Sequence, residues 1–599
     1  MASSHRGLRL AFATALLSSV FTIPAFAVDD PAKPGAAATP AAASGASSEV
    51  TNERLLNADK EPQNWLMVHK EYNSTRYSPL DQINKDNVKN LKVAFTTAIG
   101  GVPGGGNNPT GGLQATPLVN NGFMYVVDAW GSVYKIDVRD GKRGRIVWVM
   151  DPGVNKADVW IPSNRGVALY KNFVISVTGP GKVIWTNAET GEQVRSVQVD
   201  DPKNGYALTA PPLVIGNKLI VGGSGGDQGA RDHVTALDAD TGAQLWRTYS
   251  VPAPGEPGSE TWGGDNNAWM HGGGAFWVTG SYDPETKLTL WGSGQPVPMY
   301  DPEYRPGDNL YTNSTLALDT ETGKMKWYFQ YTPGDFLDFD EVGSKQLINA
   351  KVDGQDRKLL GYFGRNGFYY VQDRTNGQFI KASQYVKTLN WTDGIDPKTG
   401  KPVEYDPNKK LQTYKIGAPS RRAQGAMTAC PHIQGGVNMF PTSYSPKTGL
   451  SYGSGIEGCI KVTAVAERSG GKIAWNGGLT EDQKLGGSLT AMDPTTGERK
   501  AQTLFEYPAY SGVVSTGGGL VFTATLDGTI TAHDDQSLKE LWSFNVGSGI
   551  SAPPMTYAVN GKQYVAILVG HSRVPKGRLG THPEMQDLQT TSMLYVFSL

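Results

Sequence analysis

The chain has 599 residues, 39% hydrophobic and 19% charged, with a formal net charge of −1. That is enough apolar material for a large core, and it excludes a disordered chain. Near-neutral charge argues against nucleic acid or an anionic membrane surface as the main partner, and 74 Gly with 37 Pro point to a turn-rich, all-β protein.

At the N-terminus, Arg6 and Arg9 precede an apolar run from Leu10 to Val20, and Ala25-Phe26-Ala27 offers a small-x-small cleavage site. These are the three parts of an export signal. The run is short for a membrane span of about 20 residues. Residues 1–27 are therefore expected to be a signal peptide. Residues 28–50, rich in Ala, Pro, Gly and Ser, are expected to be a disordered leader, and 51–599 the folded domain, with no membrane span after cleavage. In an exported chain the two cysteines, Cys430 and Cys459, are expected to form one structural disulfide, two free thiols being the alternative. No Cys-x-x-Cys-His occurs, so no c-type haem is expected on this chain.

One phrase recurs along the rest of the chain. Ala236-Leu237-Asp238-Ala239-Asp240-Thr241-Gly242 runs into Leu245-Trp246, and Ala317-Leu318-Asp319-Thr320-Glu321-Thr322-Gly323 runs into Lys326-Trp327. Ala491 to Gly497 repeats it, and Asp137, Asn187, Asp373 and Asp534 head looser copies. Asp and Thr close the turn and Gly accepts positive φ. Short β-rich pairs such as Phe123-Met124-Tyr125-Val126-Val127 precede the copies, so each unit reads as a four-stranded propeller blade. The copies are spaced 50, 51, 81, 54, 120 and 41 residues. The longest gap is expected to hide one more blade, making an eight-bladed β-propeller. The strand Met593 to Phe597 is expected to pair with N-terminal strands and close the ring. The wide gaps predict insertions on one face, where function resides.

No His-Glu-x-x-His zinc motif occurs, and the eight His are scattered. The carboxylates are more informative. Thr332-Pro333-Gly334-Asp335-Phe336-Leu337-Asp338-Phe339-Asp340 places three acids in six residues. Asp338 and Asp340 are two apart and, in an extended segment, face the same way. Such a pair repels unless a cation lies between its members, and a hard cation suits it; the bland alternative is a solvated acidic loop. Asp227 in Gly225-Gly226-Asp227-Gln228-Gly229 is a second acid, or simply a turn residue. Trp277 follows Gly272-Gly273-Gly274, where backbone can approach a flat ligand; alone it reads as a core Trp. Arg165 and Arg365, each beside Gly and Asn, can hold an anion or a carbonyl oxygen, or be surface charges.

This combination resembles the quinoprotein alcohol dehydrogenases of the methanol/ethanol type, which use pyrroloquinoline quinone (PQQ). The resemblance covers nearly the whole mature chain. It begins at Asn64-Trp65 and Thr75-Arg76-Tyr77-Ser78-Pro79-Leu80, and passes through Gly205-Tyr206-Ala207-Leu208-Thr209 and Gly307-Asp308-Asn309-Leu310-Tyr311. It continues to Asp373-Arg374-Thr375-Asn376-Gly377 and Gly517-Gly518-Gly519-Leu520-Val521-Phe522. It implies an eight-bladed propeller with tryptophan-docking-like repeats. It makes Asp338 the catalytic base, Trp277 the floor under the cofactor and Arg365 the cation at the quinone carbonyl. Arg165 and Thr209 fall where the family holds the cofactor's carboxylates and oxygens. Cys430 and Cys459 resemble a disulfide of these enzymes. Asp340 matches the lanthanide-dependent members, so the implied metal is a lanthanide ion, with calcium as the alternative, held by Asp227, Gln295, Asp338 and Asp340. A trivalent ion favours about one more negative ligand than calcium does.

Three departures stand out. Asp227 replaces the family's usual Glu, and Gln295 its usual Asn. Val159-Trp160 stands where adjacent cysteines often do, so that Trp160 is expected to stack on the cofactor from the other side. The resemblance further implies a periplasmic enzyme that oxidises a small alcohol and passes electrons to a soluble cytochrome c. A homodimer is an expectation that the chain leaves open. The competing expectation is a non-catalytic propeller scaffold of the cell envelope, which needs no Trp floor, acidic cluster or paired Arg.

Overall fold

The computed structural model describes residues 48–599, apart from 101–111, 160, 265–266, 353, 419–424, 466, 469–471, 474 and 572–576. The expected signal peptide, most of the leader, and Trp160 lie outside the described residues. Among the described residues, α-helix is limited to Asn52–Leu56 and residues 577–578, beside short 3-10 turns, and no described helix is long and apolar enough to cross a membrane.

Among the described residues, the strands form seven four-stranded sheets and one of five strands, with two smaller sheets beside them. Together they make an all-β propeller. Within most sheets the strands follow chain order, as in Leu118–Asn120, Phe123–Val127, Val133–Asp137 and Arg145–Met150. The first strand is buried throughout, whereas the fourth is mostly exposed. Short inner strands therefore read as unbroken apolar runs, because both their faces are covered. Lys92–Ala98 pairs antiparallel with Met593–Ser598, so one sheet joins the two ends of the folded region.

The recurrent phrase is the turn from the third strand to the fourth. Asp319 Oδ1 accepts from the Thr322 amide at 3.0 Å and from its hydroxyl at 2.9 Å. Asp238 does the same with Thr241. Each turn also meets the neighbouring sheet. Trp246 Nε1 donates to Thr320 O at 3.1 Å, and Trp185 Nε1 to Ala239 O at 2.8 Å. Gly323 has φ +70°, and a Cβ there would lie 2.5 Å from the Trp246 ring. Its lack of a side chain serves both the turn and the contact. Gly323→Ala is expected to cost about 2–4 kcal/mol, combining positive φ with overpacking. Gly216→Ala is the control, because Gly216 has φ +61° but open space around it. Urea unfolding should place the Gly323 variant clearly below the control.

The expectation that the longest gap hides a further blade is corrected. Between Asp373 and Asp493, Ser443–Ser445, Leu450–Glu457 and Gly486–Met492 belong to one sheet. The extra length is insertion, including a small sheet of Met427–Ala429, Ile460–Ala464 and Gly478–Asp482. The remaining four-stranded sheet is the one that joins the ends, and it carries no copy of the phrase.

Up-and-down order also fixes which end of each sheet can hold a site. The entry to the first strand and the turn between the second and third lie at one end, and the Asp-Thr-Gly turn lies at the other. Arg165, Thr209, Trp277 and the Asp338–Asp340 segment each precede a first strand, while Asp227, Gln295 and Arg365 lie between a second and a third. All eight side chains therefore belong to one end.

Candidate active site

The Asp338–Asp340 segment is shaped by its neighbour Asp335. That carboxylate accepts from the Leu337 amide at 2.9 Å and the Phe339 amide at 2.9 Å, and from Asn313 Nδ2 at 3.2 Å. The turn it closes puts Asp338 at φ +58°. The segment is therefore not extended, which corrects the alternation argument. The two acids converge because the chain folds back over Asp335. Of the three acids, Asp335 is structural.

Arg365 lies between the other two. Its Nη1 is 2.7 Å from Asp340 Oδ2 and its Nη2 is 3.3 Å from Asp338 Oδ2, with all three residues buried. Its Nε donates to Ile433 O at 2.5 Å. Asp340 is engaged further: Trp277 Nε1 donates to Oδ2 at 2.9 Å and the Gln295 amide to Oδ1 at 2.8 Å. A Cβ on Gly294 would lie 2.3 Å from that Oδ1, so glycine is what lets Asp340 approach. Gln295 Nε2 donates to Asp227 Oδ1 at 2.9 Å. The shorter acid and the longer amide thus meet each other directly. Tyr300 donates its hydroxyl to Asp338 Oδ2 at 3.4 Å.

On the other flank, the Arg165 guanidinium is 4.5 Å from the Trp277 ring centre. Its Nη1 donates to the Thr209 hydroxyl, which is 2.9 Å from that of Ser224. The glycines before Trp277 admit close protein contacts: Cβ atoms at Gly273 and Gly274 would meet Gln295 O and Ser250 Oγ. Cys430 and Cys459 are bonded. The loop after Cys430 brings Gln434, Asn438 and Met439 into the same region.

Seven of the residues singled out from the sequence line one cavity of about 1050 Å3: Arg165, Thr209, Asp227, Trp277, Asp338, Asp340 and Arg365. Gln295 is buried just behind them. Burial raises all three carboxyls, Asp338 well above the usual range and Asp227 to about 6, with repulsion from Asp340 contributing to both. Asp227 faces the open cavity, yet protein surrounds it closely enough for this effect. Burial opposes the Arg365 charge, but Asp338 and Asp340 outweigh it and hold the guanidinium above its usual value. Among the described residues, no three His, Cys, Asp or Glu side chains form a ready-made metal cluster. The acids are separated by Arg365 and Gln295.

Sequence reasoning missed Ser224, Asn438, Tyr510 and Arg578 on the wall, and Tyr300 behind it. Asn438 follows Gly435-Gly436, a tight-loop signal close to Cys430. Ser224 adjoins the glycine-rich segment before Asp227; Tyr510, Arg578 and Tyr300 carry no signal, because a Tyr or an Arg in a loop looks the same wherever it points.

The propeller-domain model for glucose/ethanol/alcohol dehydrogenases that use PQQ matches residues 65–387 and 461–565. The chain is 35% identical to the quinoprotein alcohol dehydrogenase PedH of Pseudomonas putida, over 93% of this chain and 94% of that protein. It is 33% identical to the lanthanide-dependent methanol dehydrogenase of Methylorubrum extorquens, over 88% and 90%. Among solved structures, a europium-containing methanol dehydrogenase superposes with a TM-score of 0.80 at 31% identity, covering 91% of this chain and 100% of that one. With a matching family model and relatives along nearly its full length, the chain belongs to the PQQ-dependent quinoprotein alcohol dehydrogenases.

Proposed function

We propose that this chain is a periplasmic dehydrogenase that oxidises primary alcohols, with the aldehyde product as a further substrate, and passes electrons to a separate soluble cytochrome c. We read its sheets as eight blades docked through their tryptophans. The observation that carries the reading is the meeting of Asp338, Asp340, Arg365 and Trp277 at one end of one cavity.

The residues suit the group that the family implies. Trp277 offers a broad aromatic surface on the wall, while Arg165, Thr209 and Ser224 supply the donors that an anionic, oxygen-rich ring system needs. Asp227, Asp338 and Asp340 bring three carboxylates, and Arg365 alone lies between two of them. A hard cation, with Gln295 as a fourth oxygen donor, suits this set. When bound, PQQ supplies the hydride acceptor and the metal ion the Lewis acid that polarises it.

The chain's own side chains do the rest. Asp338 takes the proton of the substrate hydroxyl on its carboxylate, and burial makes that carboxylate a stronger base than one in water. Tyr300 fixes the orientation of Oδ2. Arg365 offsets part of the effect of burial on the paired acids and presents its guanidinium to developing negative charge. A lanthanide is the preferred metal, with calcium as the alternative; the extra carboxylate of Asp340 and the lanthanide-dependent and europium-containing relatives support this.

Reconstitution with PQQ and either calcium or a light lanthanide, followed by dye-linked assays on an alcohol panel, tests the reading. No quinone absorbance and no turnover with any metal would favour the scaffold alternative. Asp340→Ala is expected to lower lanthanide-supported kcat at least about 100-fold, since it removes one charged ligand. Unchanged activity would show that Asp340 does not bind the metal.

A further inference from the structure

One part of the cavity wall plays no part in that chemistry. Its side chains are Gln434, Asn476, Thr480, Asp482, Arg578 and Thr581. They come from the small inserted sheet, the loop after Cys430 and the segment after Val569. Backbone bonds tie this wall to the base. The Tyr300 amide donates to Asn476 O at 3.0 Å and the Met299 amide to Trp475 O at 3.0 Å. Tyr300 in turn reaches Asp338. The wall and Asp338 line one cavity, so a substrate whose hydroxyl lies at Asp338 can extend along it.

The wall is built around an ion pair. Arg578 Nη1 is 2.7 Å from each oxygen of Asp482. His432, fully buried, is 3.0 Å from Asp482 Oδ1 through Nε2. The Gln434 amide donates to His432 Nδ1 at 2.9 Å, so Nε2 carries the proton and donates to the acid. Arg578 Nε is buried without a partner among the described residues. Tyr510 donates its hydroxyl to Gln434 Oε1 at 2.5 Å.

An alkyl chain against this wall would strip water from these groups and return no hydrogen bonds. A carboxylate offers acceptors only, and would meet Asp482 as a like charge. A hydroxyl both donates and accepts, which matches a wall that alternates guanidinium, carboxylate, amide and hydroxyl groups.

We propose that Arg578, held in place by Asp482, is a specificity residue that selects polyhydroxylated alcohols over alkyl alcohols. Its guanidinium donates to a second hydroxyl of the substrate, while Asp482 and the neighbouring amide and hydroxyl groups accept from it. The assignment names the substrate class of the proposed dehydrogenase and rests on that reading.

The test compares glycerol with propan-1-ol, equal in carbon number, on protein reconstituted with PQQ and metal. Wild type should show the higher kcat/KM for glycerol. Arg578→Leu should lower the ratio of the two kcat/KM values about 30-fold or more, and Arg578→Lys, which keeps the charge without the planar fork, should lower it less. A wild-type preference for propan-1-ol, or a ratio unmoved by Arg578→Leu, would overturn the assignment. Calorimetric titration with xylitol needs no turnover and separates this claim from the dehydrogenase reading. Xylitol heat in wild type that is lost in Arg578→Leu supports the wall as a polyol site even if no quinone absorbance appears. Equal heat in both proteins, or none in wild type, overturns it.

Discussion

Asp338→Asn is expected to lower kcat about 1000-fold, the range in which a positioned general base acts. The substitution is nearly isosteric. It removes the proton acceptor, while Arg365 keeps its 2.7 Å pair with Asp340 and Trp277 keeps its bond to the same acid. The variant should fold, show the quinone absorbance of wild type after reconstitution, and differ in turnover. Steady-state rates and the absorbance spectrum, read on one preparation, check this. A fall of less than about tenfold would mean that another group takes the proton. Loss of absorbance would mean that the metal and cofactor need the charge of Asp338, and not only an oxygen donor at that position.

Arg76→Leu should have the largest effect on stability. Arg76 is completely buried. Its guanidinium donates to Val68 O at 2.6 Å, Pro554 O at 2.6 Å, Val513 O at 3.0 Å and Thr116 Oγ1 at 3.2 Å. Thr116, Val513 and Pro554 each lie just ahead of a strand of a different sheet, Leu118–Asn120, Val514–Thr516 and Met555–Val559. One side chain therefore ties together three sheets where the N- and C-terminal parts of the chain meet. Leucine restores apolar volume but leaves the buried acceptors at Val513, Pro554 and Thr116 without this donor, each worth about 1–3 kcal/mol. A loss of about 4 kcal/mol or more follows, and Arg76→Lys should recover part of it. Thermal unfolding of the three proteins provides the comparison. A leucine variant that melts with wild type would show that backbone pairing alone closes the ring.

The repeat was legible because the Asp-x-x-Thr-Gly turn is local chemistry: Asp319 closes on its own neighbours, and Gly323 takes the positive φ of the turn most readily. The longest gap misled for the same reason. An insertion within a sheet and an additional sheet both lengthen the interval between turns, and only strand pairing separates them. The sheet that joins the chain ends carries no phrase, so it was visible only through its last strand.

The site was read residue by residue, through family resemblance more than through pattern. Asp338 and Asp340 were found together, but for a geometric reason that does not hold. They meet because Asp335 folds the segment, which alternation cannot anticipate. Asp227 and Gln295 were marked as separate departures, and the structure makes them hydrogen-bonded partners. Arg578 and Asp482 were invisible, since 96 residues separate them and neither lies in a recognisable motif.

The amino-acid sequence alone determined the β-sheet repeat, the disulfide's two cysteines and the identity of the acids and bases available for chemistry. Each of these is set within a few residues or by residue type. Only the tertiary structure decided which end of the sheets holds the cavity, that Arg365 separates the two acids, and that an Arg–Asp pair faces the base. Those relations join segments 25 to 96 residues apart, and tertiary packing sets them, not any local preference of the chain.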